Sequence, residues 1–158
     1  MRTAVVIVSL VVLLGAAVLW AKSRVVPTYH VLVADIPKVL DQLSGAVATP
    51  AFAVFMFNTP NQPNSDDAIN IQFSLENGRP GFDWVLLGPR NIKDEERFIL
   101  FARSEGFVPK PQKMNNVRYI RVESGDIAAL CRDVIVKLYG LPKSGPVDLI
   151  VEGFAWTP

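Results

Sequence analysis

One cysteine and one histidine among 158 residues exclude a good deal of chemistry before any pattern is sought. Cys131 has no second cysteine to bridge to, so the chain holds no internal disulfide. A structural zinc site needs about four Cys or His ligands, and Cys131 with His30 supplies two. A Ser or Cys nucleophile most often takes His as its base, and His30 stands beside an N-terminal linker, outside the expected core. No Gly-x-Ser-x-Gly is present, and Ser44-Gly45 and Ser144-Gly145 read as turns. An excess of one charge is also lacking. Of the 16 Lys and Arg only Arg2 precedes Lys22, so the remaining fifteen face 15 Asp and Glu. A nucleic-acid binder shows a basic face and a strongly positive total, so no nucleic-acid partner is expected.

What the chain does have is a long apolar run. Ala4–Ala21 (AVVIVSLVVLLGAAVLWA) carries no charge. As a helix its eighteen residues rise about 27 Å, close to the ~30 Å hydrocarbon core of a bilayer. Trp20, followed by Lys22 and Arg24, has the order of an interfacial aromatic and a basic stop. Residues 1–21 are therefore expected to be a single transmembrane anchor, with the membrane as partner through residues 4–21. The alternative is export through a cleaved signal peptide, for which Arg2 gives a thin basic start and Gly15-Ala16-Ala17 a short core end. Val18, Leu19 and Trp20 argue against cleavage, because they prolong the apolar stretch to spanning length. Basic groups balance across the span. The lone cysteine suits a reducing compartment without requiring one and does not decide the side; the expectation leans very slightly to a single-pass membrane protein whose domain faces the cytoplasm.

Residues 22–28 read as a juxtamembrane linker closed by Pro27, and 29–158 as a single globular α+β domain. Asp35–Ser44 has an N-cap at Asp35, Pro37 in the first turn and Ile36, Val39, Leu40 and Leu43 on one face, so a short helix is predicted. Ala51–Phe57 is a continuous apolar run between turn signals and reads as a covered strand. In Ala68–Glu76 apolar and polar residues alternate, the period of a half-buried strand. Asn77-Gly78 is a hairpin signal, with Arg79-Pro80-Gly81 expected to lengthen the turn before the partner strand Phe82–Gly88. Asn91 is expected to cap a helix ended by Gly106. Thr59–Asp67 and Val108–Lys113 read as Pro-rich connections, and Asn116–Glu123 as a strand. Asp126–Tyr139 is a helix with Ile127, Leu130, Cys131, Val134, Ile135 and Leu138 in one stripe. Asp148–Phe154 closes as a strand. The order α-β-β-β-α-β-α-β implies a largely antiparallel sheet of four to five strands with helices on one face.

The remaining candidates are few. Asp66-Asp67 lacks the spaced ligands of a calcium loop, and Gly78–Gly81 joins strands where a phosphate cradle would open a helix. No cofactor or metal is expected. Gly88-Pro89-Arg90-Asn91 leads into a helix start, where Arg90 is a possible partner contact. Trp84 and Trp156 are large aromatics of the type enriched in binding hot spots, although filling the core and covering a sheet edge account for them as well. A paired-acid mechanism would draw on carboxylates such as Asp83, Glu123 and Glu152, with Asp83 and Glu152 on strands that could face a common cleft. Asp83 would sit at a strand's start, on the face of Val85 and Leu87, where solvent reaches it. The expectation is a membrane-tethered, non-catalytic α+β module that binds a protein or peptide in an assembly, chaperone-like or immunity role. The alternative is an envelope-associated hydrolase working through surface carboxylates.

Overall fold

A computed structural model describes residues 27–62 and 67–158. The apolar run 4–21 with Trp20, Lys22 and Arg24 lies outside the described residues, as does Asp66 of the polar loop. Among the described residues no helix is long and apolar enough to cross a membrane.

The fold is α+β around one antiparallel sheet of seven strands, two or three more than the sequence pattern implies. In chain order the elements are β1 (Thr28–Leu32), α1 (Ile36–Ser44), β2 (Phe52–Phe57), β3 (Ile69–Glu76) and β4 (Arg79–Val85). Then come α2 (Pro89–Lys93), α3 (Glu95–Ser104), β5 (Lys110–Met114), β6 (Val117–Val122), α4 (Ile127–Asp133) and β7 (Pro146–Glu152). A wider π turn, Val134–Leu138, prolongs α4. The strands lie in the order β1-β7-β2-β3-β4-β6-β5. The meander β2-β3-β4 thus forms the middle, and the chain's first and last strands pair at one side.

Two strands escape the sequence pattern. β1 occupies the segment read as linker and His30 edge, since its five residues gain strand structure only by pairing with β7, Thr28 opposite Ile150 and Leu32 opposite Pro146. β5 (KPQKM) has neither alternation nor β-branched residues. It pairs with β6 alone at the sheet's margin, where a proline is tolerated because one side of the strand needs no donor.

The β3–β4 turn is tighter than expected. Glu76 pairs directly with Arg79, and Asn77 and Gly78 take φ of 54° and 74°. Both central residues are therefore left-handed, the requirement of a type I′ two-residue hairpin. Pro80 and Gly81 belong to the strand.

Alternation sorts the sheet into two faces. Ala53, Phe55 and Phe57 of β2, Ile69, Ile71 and Phe73 of β3, and Phe82 and Trp84 of β4 join the main core. So do Ile120 and Val122 of β6 and Val147, Leu149 and Val151 of β7. The buried apolar residues of α1, α3 and α4 all belong to that same cluster. Aromatic contacts tie the layers together: Phe98 of α3 stacks on Phe82 at 5.2 Å and on Trp84 at 4.8 Å, and Tyr139 lies 6.3 Å from Trp84. Asp126 caps α4 by accepting from the Ala129 N–H at 2.8 Å.

Leu130 on α4 is fully buried in this cluster. Leu130→Ala is expected to lower stability by roughly 2–5 kcal/mol, the range for emptying a leucine-sized core site. Urea unfolding measures it, and an unchanged midpoint would place α4 off the sheet.

Candidate functional site

The second sheet face holds the chain's concentration of buried polar side chains. Register sets Gln72 beside Asp83 and Asp83 beside Arg121. Ser74 follows two residues along β3. Val54 of β2 and Ile150 of β7 continue the row on the other side, beside Gln72, as a buried apolar half. Asp83 and Arg121 are each only 2 % exposed.

Arg121 is the hub. Its Nη1 donates to Asp83 Oδ1 at 2.7 Å and Oδ2 at 2.9 Å, and to Ser74 Oγ at 3.0 Å. Ser74 Oγ donates in turn to Asp83 Oδ2 at 2.6 Å. Glu76 approaches Nη1 at 3.2 Å, and Nε donates to Glu123 at 3.3 Å. One guanidinium thus meets three carboxylates. Gly81 makes room for it, since a Cβ at that position would collide with the Arg121 guanidinium. The glycine is there for close approach across the sheet.

Burial pushes the Asp83 carboxyl up to about 6, against the pull of Arg121 and the Ser74 hydroxyl. Burial alone would lower Arg121, but the Asp83 carboxylate outweighs it and holds the guanidinium above its ordinary value. Tyr119, next to Arg121 on β6, is also raised, first by burial and then by the Glu76 and Asp83 carboxylates.

Beside this cluster lies a niche of about 10 Å³, lined by Ser74, Glu76, Asp83, Val85, Met114 and Tyr119 among others. That is room for about one water molecule, far short of a sugar ring or a peptide. The expectation that solvent reaches Asp83 is overturned. Phe82 and Trp84 take the core, so Asp83 and Val85 turn to the second face and are buried there. Glu123 reaches Arg121, but Glu152 sits on β7 opposite Phe52, and β2 and β3 separate β7 from β4. Only Asp83 and Glu123 of the three acids meet, and a guanidinium stands between them.

The other sequence candidates are engaged within the molecule. Trp84 is fully buried, and its Nε1 donates to the Asn91 carbonyl at 3.0 Å. Trp156 is buried in the core cluster, with the Lys38 ammonium 5.8 Å from its ring centroid. Gln42 exchanges two hydrogen bonds with the Thr157 backbone, at 2.7 and 2.9 Å, and so pins the chain's end to α1. Arg90 donates to Gln62 at 2.6 Å and Thr59 at 3.5 Å, holding the Pro-rich loop. Asn91 does not cap a helix. Its amide is buried and accepts from the Asn70 N–H at 3.2 Å while donating to the Asn70 carbonyl at 2.7 Å. Cys131 is buried in the core, which pushes its thiol well up.

A second feature was not legible in the sequence, the sheet's two margins. β5 carries Lys110, Pro111 and Lys113, the residue types that block strand addition at an edge. β1 (TYHVL) carries neither lysine nor proline. The Val33 N–H donates to the Gly145 carbonyl at 3.1 Å. Antiparallel alternation then turns the backbone groups of Tyr29 and Val31 towards β7, and those of Thr28, His30 and Leu32 outward. Asp35, expected as the cap of α1, reaches back instead and accepts from the Leu32 N–H at 3.0 Å. The outward N–H and C=O of Thr28 and His30 have no partner among the described residues. The His30 imidazole pairs with Asp148 of β7 at 2.7 Å, on the second face of the sheet.

The Asp83 environment has a pH signature. A raised folded-state value means the native protein binds this proton more tightly than the unfolded chain. Its contribution is complete below about 3.8 and is lost as pH rises to about 6. The stability advantage of the native protein over Asp83→Asn is therefore expected to shrink across that window in urea titrations at stepped pH. A difference that is flat or grows with pH would contradict the buried assignment.

No protein-family model matches this chain, and neither a curated protein nor a solved structure matches it.

Proposed function

We propose that this protein is a membrane-tethered, non-catalytic module that captures an extended segment of a protein or peptide partner by strand addition along β1. One observation carries the reading. Among the described residues the outward backbone groups of Thr28 and His30 have no partner, on an edge with no lysine or proline, whereas the opposite edge is defended by Lys110, Pro111 and Lys113. Main-chain hydrogen bonds to an open sheet edge supply affinity, and alternate side chains supply selectivity. Leu32, 44 % exposed, offers an apolar contact beside that edge. The tether is supported by the spanning length of Ala4–Ala21 and the Trp20, Lys22, Arg24 boundary. Six residues, 22–27, separate that run from β1, so the edge would work close to the bilayer.

Two outcomes are expected. The full-length protein stays in the membrane pellet through alkaline carbonate extraction, and release into the supernatant would refute the tether. A photo-crosslinking amino acid at Thr28 in native membranes gives discrete adducts, which disappear with His30→Pro. Proline there removes an outward N–H and the side-chain contact with Asp148, but no backbone bond to β7, so the chain's own ladder is kept. Adducts of equal yield in His30→Pro would refute strand addition. Asp83→Asn is expected to leave the adducts unchanged, whereas the hydrolase reading makes that carboxylate indispensable.

A further inference from the structure

We infer that the cleft between α4, the turn after β1 and the turn before β7 binds a phosphate monoester, held by Arg132 and Lys143. Neither the tether nor the strand edge contributes to it. The cleft encloses about 200 Å³ and is lined by Val33, Ala34, Arg132, Asp133 and Lys143. Water fills about 30 Å³ per molecule, so the space takes roughly six waters. It falls below the ~300 Å³ at which drug-sized sites begin, which suits a ligand of few heavy atoms.

The backbone holds the two cations in place. The Val33 N–H donates to the Gly145 carbonyl at 3.1 Å and ties the turn after β1 to the approach to β7. The Gly145 N–H donates in turn to the Pro142 carbonyl at 2.8 Å, closing a β-turn with Lys143 at its second position. Arg132 stands on α4, whose neighbouring residues Leu130 and Cys131 are buried in the core. Two separate elements thus bring positive charge to one concavity.

That charge is not cancelled from within. Arg132 is half-buried and Lys143 exposed, and neither makes a hydrogen bond or ion pair among the described residues. The acids nearby are already engaged. Asp133 meets the Lys137 ammonium at 3.0 Å, and Asp35, the residue after Ala34, accepts from the Leu32 N–H at 3.0 Å. A half-buried guanidinium keeps several N–H donors for an oxyanion, in a fork that suits phosphate. A phosphate monoester carries a charge of about −1.5 to −2 at pH 7, which matches two cations where a carboxylate would match one. Ala34, with Val33 behind it, supplies an apolar wall for the first carbons of the ester.

Isothermal titration of the full-length protein in detergent micelles with inorganic phosphate tests the site. Saturable binding is expected, weakened roughly tenfold or more by Arg132→Gln and by Lys143→Gln, since each removes a charge-assisted hydrogen bond. Lys143→Arg keeps the charge and should retain binding. Arg103→Gln, which removes an exposed cation of α3 outside the cleft, should leave it unchanged. Lys143 is exposed on a turn, so its substitution spares the core even where Arg132→Gln perturbs α4. Glycerol phosphate and dihexanoyl phosphatidic acid carry the same group on a soluble and on a lipid stem. The tighter binder of the two names the source, and either one supports the site. Absence of saturable binding overturns it, as does equal weakening by Arg103→Gln, which would mark a diffuse effect of net charge.

Discussion

A strand can offer only every second side chain to the layer above it, and that constraint decides almost everything in this molecule. The helices need an apolar surface, so Phe55, Ile71, Phe73, Phe82, Trp84 and Ile120 turn to one face of the sheet. Gln72, Ser74, Asp83 and Arg121 are their immediate neighbours along the chain and must turn to the other. Slipping β4 or β6 by one residue would turn Asp83 or Arg121 towards the helices. Core and polar cluster are thus two consequences of one register.

Having been forced to a shared face, the charged groups satisfy one another. Asp83 takes both bonds from the same nitrogen of Arg121, Ser74 bridges them, and Glu76 and Glu123 approach the guanidinium from the side. Removing a buried charge from water is costly unless geometry and hydrogen bonds compensate. Gly81 permits the compensation, because only a residue without a side chain lets the guanidinium lie against β4. Such a cluster specifies the pairing of β3, β4 and β6. Its carboxylates are committed to Arg121, and the niche beside them has the size of a water molecule.

The two margins of the sheet are managed differently. β5 blunts its edge with Lys110, Pro111 and Lys113, and β1 leaves the backbone groups of Thr28 and His30 outward. Asp35 closes only the last donor, at Leu32. An open margin invites pairing, and here it lies next to a segment long enough to span a bilayer. The proposed function rests on that coincidence.

The helices and central strands were legible in the sequence because their signals are local. Apolar spacing marks α1 and α4, alternation marks β3, and Asn77-Gly78 marks the hairpin. β1 and β5 were not legible, since TYHVL and KPQKM acquire strand structure only from β7 and β6, more than a hundred residues away for β1. The face of Asp83 was misjudged for a related reason. Alternation shows that Asp83 and Val85 share a face, but the identity of the covered face depends on where α3 and α4 dock. Trp84 and Trp156 looked equally fit for a surface or a core, and packing put both inside. By itself the sequence determined the class of fold, the poverty of catalytic and metal-binding groups and the presence of a bilayer-length apolar run. All three follow from composition and short-range periodicity. Only the tertiary structure decided which acid meets Arg121 and which strand is left at the edge, because both depend on contacts between residues far apart in the chain.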